Sequence, residues 1–167
     1  MKKFLLAGAA LTALIAASAT GASAGNSASV YQKGWNNTGV FTQNGHGNKG
    51  TLHTKGHANY SKAVQSGQWN YLYQQQLGNR NSALTDQYGK GNYAVTGQEG
   101  RNNTATTIQT GRHNTSGIAQ IGNNHSATTD QLGSHNTAAT IQVGNGQKAN
   151  TMQTGHGNTT VVIQGGY

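Results

Sequence analysis

Proton transfer and covalent catalysis need carboxylates, thiols or histidines brought together, and this chain is poor in the first two. It carries three acids, Asp86, Glu99 and Asp130, no cysteine and seven histidines. Three scattered carboxylates leave little for acid–base work, and no thiol is present for nucleophilic work. The chain is expected not to be an enzyme. His46, His57, His113, His135 and His156 fall in glycine-rich stretches read as turns, and His113 and His135 lie 22 residues apart. That spacing would put both on one edge of a repeating structure. With no acid or thiol beside them they read as surface turn residues, so no metal or other cofactor is expected. The abundant polar group is instead the carboxamide, whose chemistry is hydrogen bonding: two donors and an acceptor on each Asn and Gln.

These amides recur with a fixed period. Glycines 11 residues apart stand at Gly34, Gly45, Gly56, Gly67, Gly78, Gly89, Gly100, Gly111, Gly122, Gly133, Gly144 and Gly155. Two residues before each comes Gln32, Gln43, Thr54, Gln65, Gln76, Gln87, Gln98, Gln109, Gln120, Gln131, Gln142 or Gln153, and Gln164 closes the series. Only Thr54 departs from Gln. Three residues after the glycine comes Asn37, Asn48, Asn59, Asn70, Asn81, Asn92, Asn103, Asn114, Asn136 or Asn158, with His125 and Gln147 as the departures. Two residues further on the side chain is small, as at Gly39, Ser61, Ala83 and Ala105, except at Leu72. A period this strict marks a repeat architecture.

The elements that position the amides follow from the unit. Glycine and its polar neighbours read as a tight turn, since glycine reaches positive φ without steric cost. The remaining seven or so residues, rich in Thr, Val, Ile and Tyr, read as a strand. Strand side chains alternate faces. The Asn, the small residue, the position two beyond it and the next Gln share one parity, taken as the interior. This places some apolar residues, including Ile108, Ile141 and Ile163, outside. A buried amide without partners costs about 1–3 kcal/mol. Stacked on its own kind it donates one way and accepts from the other, as in cross-β amide rows. An antiparallel meander would not align identical positions, whereas a parallel solenoid of 22-residue coils would. The expected fold is therefore an all-β, parallel two-sheet β-solenoid of about six and a half coils, each two strands and two turns.

Around the repeat lie two short segments. Lys2 and Lys3, the apolar Phe4–Ala17 and the small-residue site Ala22-Ser23-Ala24 read as a secretory signal peptide over residues 1–24. Residues 25–31 form a short N-terminal segment and first strand, and 32–167 the repeat solenoid. No other apolar run is long enough to span a membrane. From Gly25 onward nine Lys or Arg face three acids, a net charge of +6. The basic residues are scattered, so no nucleic-acid groove is expected. Absence of proline suits a chain that is strand nearly throughout.

The pattern Gln-x-Gly-x-x-Asn-x-Ala-x-x-x-Gln, as in Gln76-Leu-Gly78-Asn-Arg-Asn81-Ser-Ala83-Leu-Thr-Asp-Gln87, resembles the curlin repeat of bacterial curli fibres, over Gln32 to Gln164. The resemblance implies export through a dedicated outer-membrane pore, periplasmic chaperones, a nucleator subunit, and assembly into extracellular functional amyloid in biofilm matrix and adhesion. The segment before the first repeat is shorter than the family's usual secretion-targeting segment. Uniform spacing is similar to the minor, nucleating subunit. The intact last unit, Gln153-Thr-Gly155-His-Gly-Asn158, favours the major, fibre-forming one.

A solenoid whose ends lack atypical capping repeats templates further copies, and non-closing head-to-tail addition gives a filament. The principal expected partner is a second copy of the chain. Asp86, Lys90, Glu99, Arg101 and Arg112 are candidate gatekeepers that slow stacking. A monomeric ice- or carbohydrate-binding solenoid is the alternative from another class, but its threonine rank (Thr104, Thr106, Ser126, Thr128) stops after two coils.

Overall fold

The computed structural model describes residues 11–18 and 25–166. Of the expected signal segment, residues 1–10 and 19–24 lie outside the described residues, as does Tyr167.

Each 11-residue unit forms one strand, and one further strand precedes the repeat. In chain order these are β1 (Leu11–Ser18), β2 (Ser27–Trp35), β3 (Asn37–His46), β4 (Lys49–His57), β5 (Tyr60–Gln68), β6 (Tyr71–Asn79), β7 (Ser82–Lys90), β8 (Tyr93–Arg101), β9 (Thr104–Arg112), β10 (Thr115–Asn123), β11 (Ser126–Ser134), β12 (Thr137–Asn145), β13 (Lys148–His156) and β14 (Thr159–Gly166). The odd strands form one parallel sheet in the order β1-β3-β5-β7-β9-β11-β13, and the even strands the other, β2-β4-β6-β8-β10-β12-β14. Pairing within the repeat is offset by 22 residues: Gln109 faces Gln131 and Gly111 faces Gly133 between β9 and β11. The chain is a two-sheet β-solenoid of about six coils, with no helix among the described residues.

Most strands run to nine residues, longer than the seven or so expected, because the conserved-spacing glycine still belongs to the strand ladder. The reversal itself comes two residues later. There the chain passes through left-handed backbone at Asn36, Ala58, Trp69, Arg80, Asn102, Asn124, His113 and His135, with φ between 54° and 58°. Such conformations are uncommon for bulky side chains. Coil-to-coil bonds hold them in place: the N–H of Trp69 donates to the His46 carbonyl (3.0 Å) and that of His113 to the Lys90 carbonyl (2.9 Å). Backbone pairing thus continues around the bend.

Glycine two residues earlier answers a second demand. Gly111 has φ +126°, and a methyl group there would overlap the carbonyl oxygen of Gly133 in the next coil. The same overlap recurs down both glycine columns. Coils therefore approach through bare backbone at each corner.

The interior is thin and mostly polar. Phe41, Leu52, Ala63 and Leu72 form an apolar cluster near the N-terminal coils, joined by Ala28 and Val30. Gly50 is small because Phe41 occupies the space a side chain there would need. Further along, Ala105, Ile118 and Ala127 form a second cluster. Most other buried positions are the Gln, Asn and Thr of the repeat, and the remainder include Ala83, Ala94, Ala138, Ser61, Ser116 and His125. Ile141 and Ile163 face outward, 39% and 72% exposed, because strand parity gives the interior to the amides.

Candidate functional site, the amide ladders and the coil ends

Strand pairing at a 22-residue offset brings each Gln above the next of its own sheet. In the odd sheet Gln43 donates from Nε2 to Oε1 of Gln65 (2.7 Å), and so on through Gln65–Gln87, Gln87–Gln109, Gln109–Gln131 and Gln131–Gln153. In the even sheet the row runs Gln76–Gln98–Gln120–Gln142–Gln164, with bonds of 2.8–2.9 Å. The second amide proton goes to a backbone carbonyl on the preceding strand, as Gln109 Nε2 to Tyr93 (3.0 Å) and Gln120 Nε2 to Thr104 (2.9 Å). Each Gln therefore ties its own sheet along the axis and the two sheets across it. Buried bonds aligned in one direction polarise one another, and this row has one sense: every Gln donates toward the C-terminal end.

The Asn residues behave differently from a simple amide-on-amide row. Oδ1 of Asn81 accepts the backbone N–H of Asn103 (3.1 Å), and Nδ2 of Asn103 donates to the carbonyl of Gly122 (2.9 Å) and of Glu99 (3.2 Å). The pattern repeats at Asn48, Asn70, Asn92 and Asn114. Direct amide–amide contacts occur at Asn37–Asn59, Asn48–Asn70 and Asn136–Asn158. A side chain one methylene shorter than Gln, sitting beside the bend, reaches backbone rather than its neighbour's amide. It clips the glycine corner of the next coil.

Three further residues belong to this network, one of them the His125 departure from the Asn position. Asn26 opens one Asn row: its Oδ1 accepts the N–H of Asn48 (2.9 Å) and its Nδ2 donates to Gly45 (2.9 Å). Its position, 11 residues before Asn37, was the available signal. Gln74 bridges the core, accepting from Ser61 Oγ and donating to Thr85 Oγ1, both 2.7 Å. Strand parity places it inside, but the amide type at that position is not part of the repeat. His125, buried in an Asn row, donates from Nε2 to Ile121 (3.1 Å) and accepts the Gln147 N–H at Nδ1 (3.3 Å).

The charged residues lie outside the ladders. Asp86 sits half-buried on the outer face of the odd sheet between Val64 and Ile108. Burial pushes its carboxyl above the usual range, opposed by the positive charge of Lys62. Lys90 lies in register between Gln68 and Arg112, Glu99 between Leu77 and Ile121, and Arg101 between Asn79 and Asn123. Arg80 and Arg101 line a polar cleft with His57, Asn79 and Asn102. His113, His135 and His156 form a column at one edge, with ring centroids 5.3 Å and 4.9 Å apart. Among the described residues no group of three or more His, Cys, Asp or Glu is arranged to hold a metal ion.

The two coil ends carry the unfinished chemistry. Among the described residues nothing pairs with the outer edges of β2, β13 and β14. Both amide atoms of Gln32 are shielded from solvent yet unpartnered. At the far end Gln164 Nε2 has only the Lys148 carbonyl (2.9 Å), and Gln153 Nε2 turns to Thr160 Oγ1 (3.0 Å) where the rest of its row meets a Gln. The curlin associated repeat family matches residues 78–106 and 100–133. Residues 78–133 are similar to curlin repeats. No curated protein and no solved structure matches the chain.

Proposed function

We propose that the chain is a secreted subunit that polymerises head to tail into curli-like amyloid fibres of an extracellular matrix, supporting biofilm and adhesion. One observation carries this reading. The bonded Gln rows have a single direction, ending at Gln153 in one sheet and Gln164 in the other; Gln164 keeps one amide proton unspent, while at the opposite end Gln32 Oε1, set apart from the bonded row by Thr54, is an unused acceptor. Those ends are complementary to each other. A contact of this kind between unlike surfaces does not close, so it propagates. Residues 1–24 are the signal peptide that directs export. An outer-membrane pore, periplasmic chaperones and a nucleator subunit are the remaining partners. The intact β13–β14 repeat supports the major, fibre-forming role over the nucleating one.

The test is incubation of the chain from Gly25 onward. Fibres that bind thioflavin and diffract with the cross-β spacing of about 4.7–4.8 Å support the proposal. A persistent monomer rejects it. Proline at Thr107 or Ile118 removes a ladder N–H from a central strand. Either variant should abolish growth, and undiminished fibres would count against the mechanism.

A further inference from the structure

Resting on the polymerisation reading, we infer that consecutive subunits in the filament are related by a half-turn about its axis, so that β2 of one copy lies on β13 of the copy before it and β3 lies on β14. The reason is the parity of the strand count. From Gly25 onward the described residues form 13 repeat strands, β2 to β14. A coil uses one strand of each sheet, so an odd count begins and ends in the same sheet. Here both β2 and β14 belong to the even sheet.

Along the solenoid the strand after β14 would enter the odd sheet, directly on β13. The first repeat strand of an incoming copy is β2, an even-sheet strand. In the chain from Gly25 onward, which lacks β1, an unrotated copy must lay β2 on β14, and its β3 then sits one strand position too far along the odd sheet, leaving empty the position that β1 holds beside β3. The gap between β13 and that β3 is roughly 10 Å, twice the inter-strand spacing of about 4.8 Å. A whole strand's worth of N–H and C=O groups would face a void on each side, and buried unpaired backbone groups are rarely tolerated. The odd-sheet Gln row would stop at Gln153. This holds wherever along the coil the axial rise is placed.

A half-turn removes the gap. The two sheets exchange roles at each junction, β2 fills the position on β13, and β3 fills that on β14. Gln153 then meets Gln32 and Gln164 meets Gln43. Asn158 meets Asn37, and Gln147 meets Asn26. Gly155 and Gly166 meet Gly34 and Gly45, so the bare-backbone corners also continue. The structure contains a stand-in for the second contact: β1 occupies the position on β3 that β14 of the preceding copy would take, pairing Leu11 with Asn37 and Ala17 with Gln43. Its offset of 26 residues breaks the 22-residue frame, so it fills the position without continuing the Gln row.

The decisive measurement is cysteine cross-linking in assembled fibres of the chain from Gly25 onward. Tyr31, Met152 and Ile163 are all outward and exposed. In-register neighbours on adjacent parallel strands lie within disulfide reach, whereas Tyr31 and Met152 of one copy are many coils apart. Under mild oxidation the half-turn predicts covalent multimers from Y31C with M152C and none from Y31C with I163C. The reverse result, or links in neither pair, overturns the half-turn while leaving the polymer intact. Helical reconstruction of unsubstituted fibres supplies an independent reading: rotation per subunit near a half-turn supports the inference, and rotation near zero refutes it. Absence of fibres from the unsubstituted chain would instead remove the polymerisation reading, and this inference with it.

Discussion

Thr54 stands one coil below Gln32 and one above Gln76, and it interrupts the even-sheet amide row on both sides. The hydroxyl of Thr54, both amide atoms of Gln32 and Oε1 of Gln76 are all shielded and unpartnered. Threonine is too short to reach either neighbour. Thr54→Gln should join Gln32 to Gln76 and stabilise the fold by about 1–3 kcal/mol, the cost of leaving such groups unsatisfied. A rise in the guanidinium midpoint checks this, and an unchanged midpoint would mean the row contributes little.

The corner glycines offer a paired comparison. Gly111→Ala places a methyl group against the Gly133 carbonyl and forces alanine to φ near +126°. It should destabilise by more than about 1 kcal/mol and raise the critical concentration for assembly. Gly97→Ala, in open space on the outer face, should be neutral or stabilise by up to about 1 kcal/mol, because strand glycine costs chain entropy. Equal effects from the two would show that the columns are not closely stacked.

Asp86 makes folding depend on pH. Desolvation raises its pKa in the folded state, with Lys62 acting in the opposite direction. The folded state therefore holds this proton more tightly than the unfolded chain does. The resulting stability is fully present below the ordinary aspartate range and is lost as pH rises through the raised pKa. Asp86→Asn should stabilise the protein at neutral pH, shorten the assembly lag, and flatten that acid-side dependence. An unchanged lag would end the gatekeeper role for this residue.

His125 is an incomplete substitute for asparagine. Its two ring nitrogens reach Ile121 and Gln147, which leaves none for the glycine corner that Asn103 clips at Gly122. His125→Asn should restore a bond to Gly144 and add about 1 kcal/mol. Hydrogen exchange at the β11 and β12 amides would report it locally, with slower exchange expected.

Much of the architecture was legible in the chain before any coordinates. A strict 11-residue period with strand propensity leaves few folds, and identical polar residues at one parity require like to stack on like. That logic placed Gln43, Gln65 and Gln87 above one another and sent Ile141 and Ile163 to the surface. Less legible were the contacts each amide makes. Gln and Asn share a functional group, so period alone could not separate the Gln row, bonded amide to amide, from the Asn row, bonded to backbone. One methylene and the nearness of the bend decide between them. The bend itself lies two residues beyond the expected glycine, because the glycine column serves coil-to-coil approach.

The amino-acid order by itself determined which residues stack over which, since a fixed repeat length on a strand sets parity and register at once. Tertiary structure alone decided where hydrogen bonds terminate: at Thr54, at the glycine corners, and at the unpaired edges of β2, β13 and β14. Those outcomes depend on the reach and direction of individual side chains in three dimensions, and spacing along a chain does not encode either.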